Sequence, residues 1–125
     1  MRLESAINDE TNDFYPFRAE KTILFSDTLK AVIEDMKHKS ASVISAKFHN
    51  TVAQVILEVS KQIRKETSIN KVLLSGGVFQ NKYLMEKSLY LLNRNRFKVF
   101  TNHIVPANDG GISLGQLVIA SKTRR

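Results

Sequence analysis

Apolar residues recur along most of the chain at helical or strand spacing, and polar clusters separate them. Leu29, Val32, Ile33 and Met36 stand three and four apart, which predicts a helix from Ser26 or Asp27, either able to cap it, to about Lys37. A longer stretch starts at Ser40 or Ser42 and runs from Val43 to about Thr67. Ile44, Phe48, Val52, Val55, Ile56, Val59 and Ile63 are expected on its inner face, and no Gly or Pro interrupts it. KVLLS at 71–75 is a short apolar run ending at Gly76-Gly77, the pattern of a buried strand entering a tight turn. A helix over 80–93 follows, with Leu84, Met85, Leu89 and Leu92 inward, then an alternating strand at 97–101. Asn108-Asp109-Gly110-Gly111 opens a last helix through Leu114, Leu117, Val118 and Ala120, which ends in a basic tail suited to its dipole. Upstream, DETNDFYPFR at 9–18 reads as a loop whose aromatics dock on the domain, and TILF at 22–25 as a short strand.

From residue 42 the order is helix, strand, helix, strand, helix. This is an α/β pattern with parallel strands and helices packed on the sheet. Two or three strands are few for a free-standing sheet, so the chain is expected to be part of a larger domain. It divides into an acidic N-terminal segment, 1–41, and a C-terminal α/β part, 42–125. With 125 residues, more than one full domain is not expected.

Charge sharpens this division. The net charge is +7, but residues 1–36 hold four Lys/Arg against eight Asp/Glu, while 37–125 hold fifteen against four. A basic half favours phosphate-bearing ligands, although bases spread over several elements rather than clustered favour an ordinary solvated surface. There is no cysteine, which excludes a disulfide scaffold and a thiol nucleophile within the chain. No apolar run reaches the roughly 18 residues of a membrane span, and the N-terminus lacks a secretory pattern. The expectation is a soluble cytoplasmic protein that does not engage membranes or nucleic acid.

Two glycine-centred segments are the candidates for chemistry. In Leu74-Ser75-Gly76-Gly77-Val78, a strand runs into paired glycines and a helix follows. Glycines let a ligand approach the backbone, and a helix N-terminus favours anions, so the segment suits a phosphate or nucleotide cradle, although a glycine pair is more often just a turn. In Pro106-Ala107-Asn108-Asp109-Gly110-Gly111, Asp109 serves either as an N-cap, which the local pattern favours, or as a metal ligand. Neither dinucleotide-fold nor P-loop glycine signatures occur. His38, His49 and His103 match no zinc spacing. His49 lies beside the apolar stripe, where a structural role is the simpler reading.

LSGGVFQNKYL, then about twenty residues, then VPANDGGISLGQLVIA, resembles the C-terminal end of the HypF carbamoyltransferases. MRLE, FYPF and AKFHNTVAQVI resemble segments of that family in the same order. The related TsaD-type tRNA-modifying enzymes share the fold, but they lack the NDGGISLGQ form. The resemblance implies a partial actin-like lobe. It also implies an enzyme that makes carbamoyl-adenylate from carbamoyl phosphate and ATP and passes the carbamoyl group to the C-terminal cysteine of a HypE-type acceptor. By the same resemblance Ser75, Gly76, Gly77, Asn81 and Gly110 would meet the nucleotide. Asp109 would hold a divalent metal, and Asn108 and His49 are further candidates. The family's other domains and its HHxAH motif are absent from these residues, so the chain is expected to be inactive alone. Its incomplete sheet would expose an edge suited to homodimerisation. The other readings carried forward are a TsaD-like fragment and a non-catalytic dimerising or basic binding module.

Overall fold

A computed structural model describes residues 11–102 and Ile119. The order is β1 (Arg18–Ala19), β2 (Ile23–Leu24), α1 (Ser26–Asp35), α2 (Ala41–Thr67), β3 (Lys71–Leu74), a 3-10 turn (Gly77–Gln80), α3 (Lys82–Arg94) and β4 (Lys98–Thr101). β1 and β2 form a small antiparallel hairpin. β3 and β4 pair in parallel, with Lys71 opposite Lys98 and Leu74 opposite Thr101. The α/β class and the parallel pair agree with the sequence pattern. The final helix expected after Asn108 lies outside the described residues, apart from Ile119, which is helical and exposed.

The core lies where α2 and α3 cover one face of the parallel pair. Leu57, Leu74, Leu92 and Phe97 form its centre, with Ile56, Val72, Phe79, Met85, Leu89, Leu91 and Val99 packed around them. Strand alternation sends Val72, Leu74 and Val99 to this face and leaves Leu73 and Phe100, partners in register, exposed on the other. Arg64 closes one end of the unit. Its guanidinium lies 3.9 Å from the Phe97 ring centre and donates to the Asn95 carbonyl at 2.8 Å.

α2 begins as expected: Ser40 is its N-cap, and the Ser40 hydroxyl accepts from the Val43 amide. Its inner face agrees with the expected stripe at Val55, which is buried, and at Ile56, which packs on the core, and differs elsewhere. Ala46, His49, Asn50, Ala53 and Leu57 are buried, whereas Phe48 and Ile63 are exposed. Small Ser45, Ala46 and Ala53 let a neighbour approach closely, and the polar side chains between them are satisfied by hydrogen bonds. Close approach has therefore selected a face of small and polar residues over the more apolar one beside it.

α1 also departs from expectation. Phe25 occupies its N-cap with no side-chain cap bond, and Asp27 is paired instead with Arg18 at 3.2 Å. Leu29 and Ile33 are each 60% exposed and Met36 68%, so the face expected to be buried points to solvent among the described residues. Thr28, at 1%, is the residue α1 buries, and its hydroxyl donates to the Pro16 carbonyl. Of the loop aromatics, Tyr15 docks fully and Phe14 remains exposed.

Candidate functional site

β3 ends at Leu74, and the chain turns through Ser75, Gly76 and Gly77 towards the N-terminus of α3. Gly76 has φ 109° and ψ 162°, a combination open essentially to glycine alone. Gly77 carries no such backbone demand, and among the described residues a Cβ placed on it would meet nothing within 4 Å. The first glycine is therefore required by the turn, and the second keeps its outer side clear. Behind them, the Phe79 amide donates to the Gly76 carbonyl and the Asn81 amide to the Val78 carbonyl, both at 3.1 Å. The Ser75 hydroxyl accepts from the Asn102 side-chain amide at 3.2 Å, tying the ends of β3 and β4 together.

Asn81 is the N-cap of α3, with Oδ1 accepting from the Leu84 amide at 3.0 Å. Its Nδ2 lies 2.7 Å from His49 Nε2. A carboxamide has two donor hydrogens and two acceptor lone pairs, so these bonds leave one of each for a ligand. On its other side, His49 Nδ1 lies 2.8 Å from the Ser45 carbonyl. The Tyr83 ring meets His49 edge-on with centroids 5.6 Å apart, and the Tyr83 hydroxyl donates to Asn50 Oδ1 at 2.8 Å. Asn50 Nδ2 in turn donates to the carbonyls of Thr11 and Asp13.

The structure thus brings together Ser75, Gly76, Gly77, Asn81 and His49 from two distant parts of the sequence. Asn108, Asp109 and Gly110 lie outside the described residues. Among the described residues no group of three His, Cys, Asp or Glu side chains could hold a metal ion. The metal expectation therefore rests on Asp109 alone. Sequence reasoning missed Ser45, Asn50 and Tyr83. The available signal was the adjacent polar pair His49-Asn50, set between Ala46 and Ala53 on one face of a long helix. A cavity of about 290 Å³ opens nearby, lined by Asn12, Tyr83, Glu86, Lys87 and Tyr90. Among the described residues, none of the expected site residues lines it, and Ser75 and Gly77 are exposed.

A second polar cluster anchors the N-terminal segment. Asp35 Oδ2 accepts from Lys47 Nζ at 2.8 Å and from the Tyr15 hydroxyl at 3.0 Å. The bond from the Lys47 ammonium, aided by that from Tyr15, holds the Asp35 carboxyl below its ordinary range against the opposing effect of burial. Burial, and then the bond to Asp35, pushes the Tyr15 phenol upward. No described helix is long and apolar enough to cross a membrane.

Known proteins resemble this chain in sequence and in fold. The family described as "Carbamoyltransferase, Kae1-like Domain, second subdomain" matches residues 1–116. The carbamoyltransferase HypF of Synechocystis is 31% identical over 120 residues, covering 92% of this chain and 15% of the relative. A tRNA N6-adenosine threonylcarbamoyltransferase of Thermosipho africanus is 32% identical over 56 residues, 45% of this chain and 17% of that protein. Among solved structures, a full-length HypF in a phosphate- and nucleotide-bound form superposes with TM-score 0.86 at 47% identity, over 97% of this chain and 17% of that one. The T. kodakarensis HypF shares the fold, with TM-score 0.77 at 21% identity over 95% of this chain and 16% of that one. The chain spans about a sixth of the length of these HypF proteins. With a family match over nearly the whole sequence and a fold that follows HypF, the chain belongs to the HypF carbamoyltransferases, as the second subdomain of their Kae1-like domain.

Proposed function

We propose that this subdomain carries one side of a nucleotide site, with the turn Ser75-Gly76-Gly77 and the start of α3 facing the ligand. The observation that carries the reading is the pairing of Gly76, held in a glycine-only conformation, with open space above Gly77. That turn leads into the N-terminus of α3, whose dipole favours phosphate oxygens. The nucleotide-bound state of the HypF at 47% identity supports the same reading. Asn81 has a donor and an acceptor left for the ribose or base. By family resemblance, Gly110 joins the nucleotide contacts and Asp109, flanked by Asn108, is the metal ligand.

In the intact enzyme the activity follows the family. ATP and carbamoyl phosphate give carbamoyl-adenylate with release of pyrophosphate and phosphate, and the cysteine thiolate of a HypE-type acceptor takes the carbamoyl group as AMP leaves. These carbamoyl-transfer steps need the rest of the domain, so the chain alone binds nucleotide weakly and does not turn over. The TsaD-like reading draws on the 56-residue match alone, whereas the HypF relative covers 92% of the chain.

The test is calorimetric titration with ATP and ADP, with and without Mg²⁺. Because a side chain at Gly77 meets open space, Gly77→Val should remain folded and lose binding. Unchanged affinity in Gly77→Val would overturn the assignment of the turn.

A further inference from the structure

We infer that His49 is a positioning residue that sets the pose of the Gly76–Gln80 turn through Asn81. Its relevance to ligand binding rests on the nucleotide reading above. The hydrogen-bond chain admits one arrangement. Leu84 N–H must find an acceptor, which fixes Oδ1 of Asn81 towards the helix and Nδ2 towards His49. His49 Nε2 therefore offers a lone pair. The Ser45 carbonyl only accepts, so His49 Nδ1 carries the proton. The ring is a neutral Nδ1–H tautomer, buried at 6% exposure, with both nitrogens engaged.

A histidine kept for packing alone would not need this polarity. His49 and Asn50 are consecutive on α2, and each reaches the start of α3: His49 at Asn81, Asn50 at Tyr83. Asn81 is also the last link of the turn, its amide bonded back to Val78 and its side chain capping α3. Holding Asn81 from α2 therefore fixes both the direction of α3 and the backbone from Gly76 to Gln80. Preorganised donors of this kind spare a ligand the entropy of ordering them.

The test compares His49→Leu, His49→Gln and Asn81→Ser with wild type. Leucine keeps apolar bulk without an acceptor. Glutamine can accept from Asn81 through Oε1. Serine at 81 keeps the cap and drops the donor that faces His49. Hydrogen exchange should speed up by about fivefold, the scale of one net hydrogen bond, at amides 78–84 in His49→Leu and in Asn81→Ser. His49→Gln should return towards wild type, and exchange in the second half of α2 should stay unchanged in all three. ATP affinity should fall by a similar factor in His49→Leu and Asn81→Ser and recover in His49→Gln. Nitrogen NMR of the wild-type ring should show Nδ1 protonated and Nε2 bare.

Equal exchange in His49→Leu and His49→Gln would overturn the proposal, as would protection lost uniformly across the core or an Nε2-protonated ring. If His49→Leu does not fold, Asn81→Ser carries the same comparison. Absence of ATP binding in the wild type would count against the nucleotide reading, while the exchange pattern would still decide the role of His49.

Discussion

The α2–α3–β3–β4 unit and the segment from Thr11 to Lys39 are built on different physics. The first is held by apolar burial, with Leu57, Leu74, Leu92 and Phe97 meeting between two helices and a parallel strand pair. The second is tied down by polar contacts: Tyr15 and Lys47 on Asp35, Thr28 on Pro16, Asn50 on Thr11 and Asp13, and Gln62 on Ala19. Its helix buries Thr28 and leaves Leu29, Ile33 and Met36 in solvent. The unit that carries the glycine turn is thus the one with the apolar core. The acidic segment is fastened to it through hydrogen bonds and one largely shielded ion pair.

Leu92→Ala should break the first region most severely. Leu92 is fully buried at the centre of the core, so truncation should cost about 3 kcal/mol in thermal or chemical denaturation. Leu29→Ala on the exposed face of α1 should change stability by less than about 0.5 kcal/mol. Comparable losses at the two positions would erase the distinction.

At the turn, Gly76→Ala should destabilise by about 1–3 kcal/mol because alanine does not tolerate that backbone conformation. Gly77→Ala should leave the melting temperature nearly unchanged, since its Cβ meets open space. Measured side by side, the pair separates the glycine needed by the fold from the one available to a ligand.

Asp35→Asn should cost about 1 kcal/mol by weakening the bonds from Lys47 and Tyr15. The folded-state pKa of Asp35 is lowered from 3.8, so its contribution is present above that value and is lost as pH falls through the folded pKa. Acid melts below about pH 4 should therefore be flatter in Asp35→Asn than in wild type. An identical acid limb in both proteins would remove Asp35 from the account.

The smallest expected effect is at Ser88. This residue is fully buried on α3, and its hydroxyl has no hydrogen-bond partner among the described residues. Ser88→Ala should be neutral or stabilising by about 0.5 kcal/mol, read from the melting midpoint.

Much of the second region's neighbour was legible in the sequence. Ser40 announces α2 because a hydroxyl before a long periodic run caps it, and KVLLSGG announces β3 and its turn because paired glycines end an apolar strand. The inner face of α2 was legible only in part, at Val55 and Ile56. Hydropathy favoured Phe48 and Ile63, whereas close helix contact selected Ala46, Ala53 and the polar pair between them. The exposure of α1 was equally hidden, since an amphipathic pattern states that a face is apolar but does not name what covers it. The His49–Asn81 contact joins residues 32 apart, and only the packing of α2 on α3 brings them together.

The measurement that bears most directly on this account is an amide NMR titration of the chain with ATP and Mg²⁺, repeated on Gly77→Val. The account predicts shifts concentrated at residues 75–84, little change from 18 to 39, and loss of the response in a Gly77→Val protein whose spectrum is otherwise native. Shifts centred on the N-terminal segment, no response at 75–84 with millimolar ATP, or an undiminished response in Gly77→Val would contradict it.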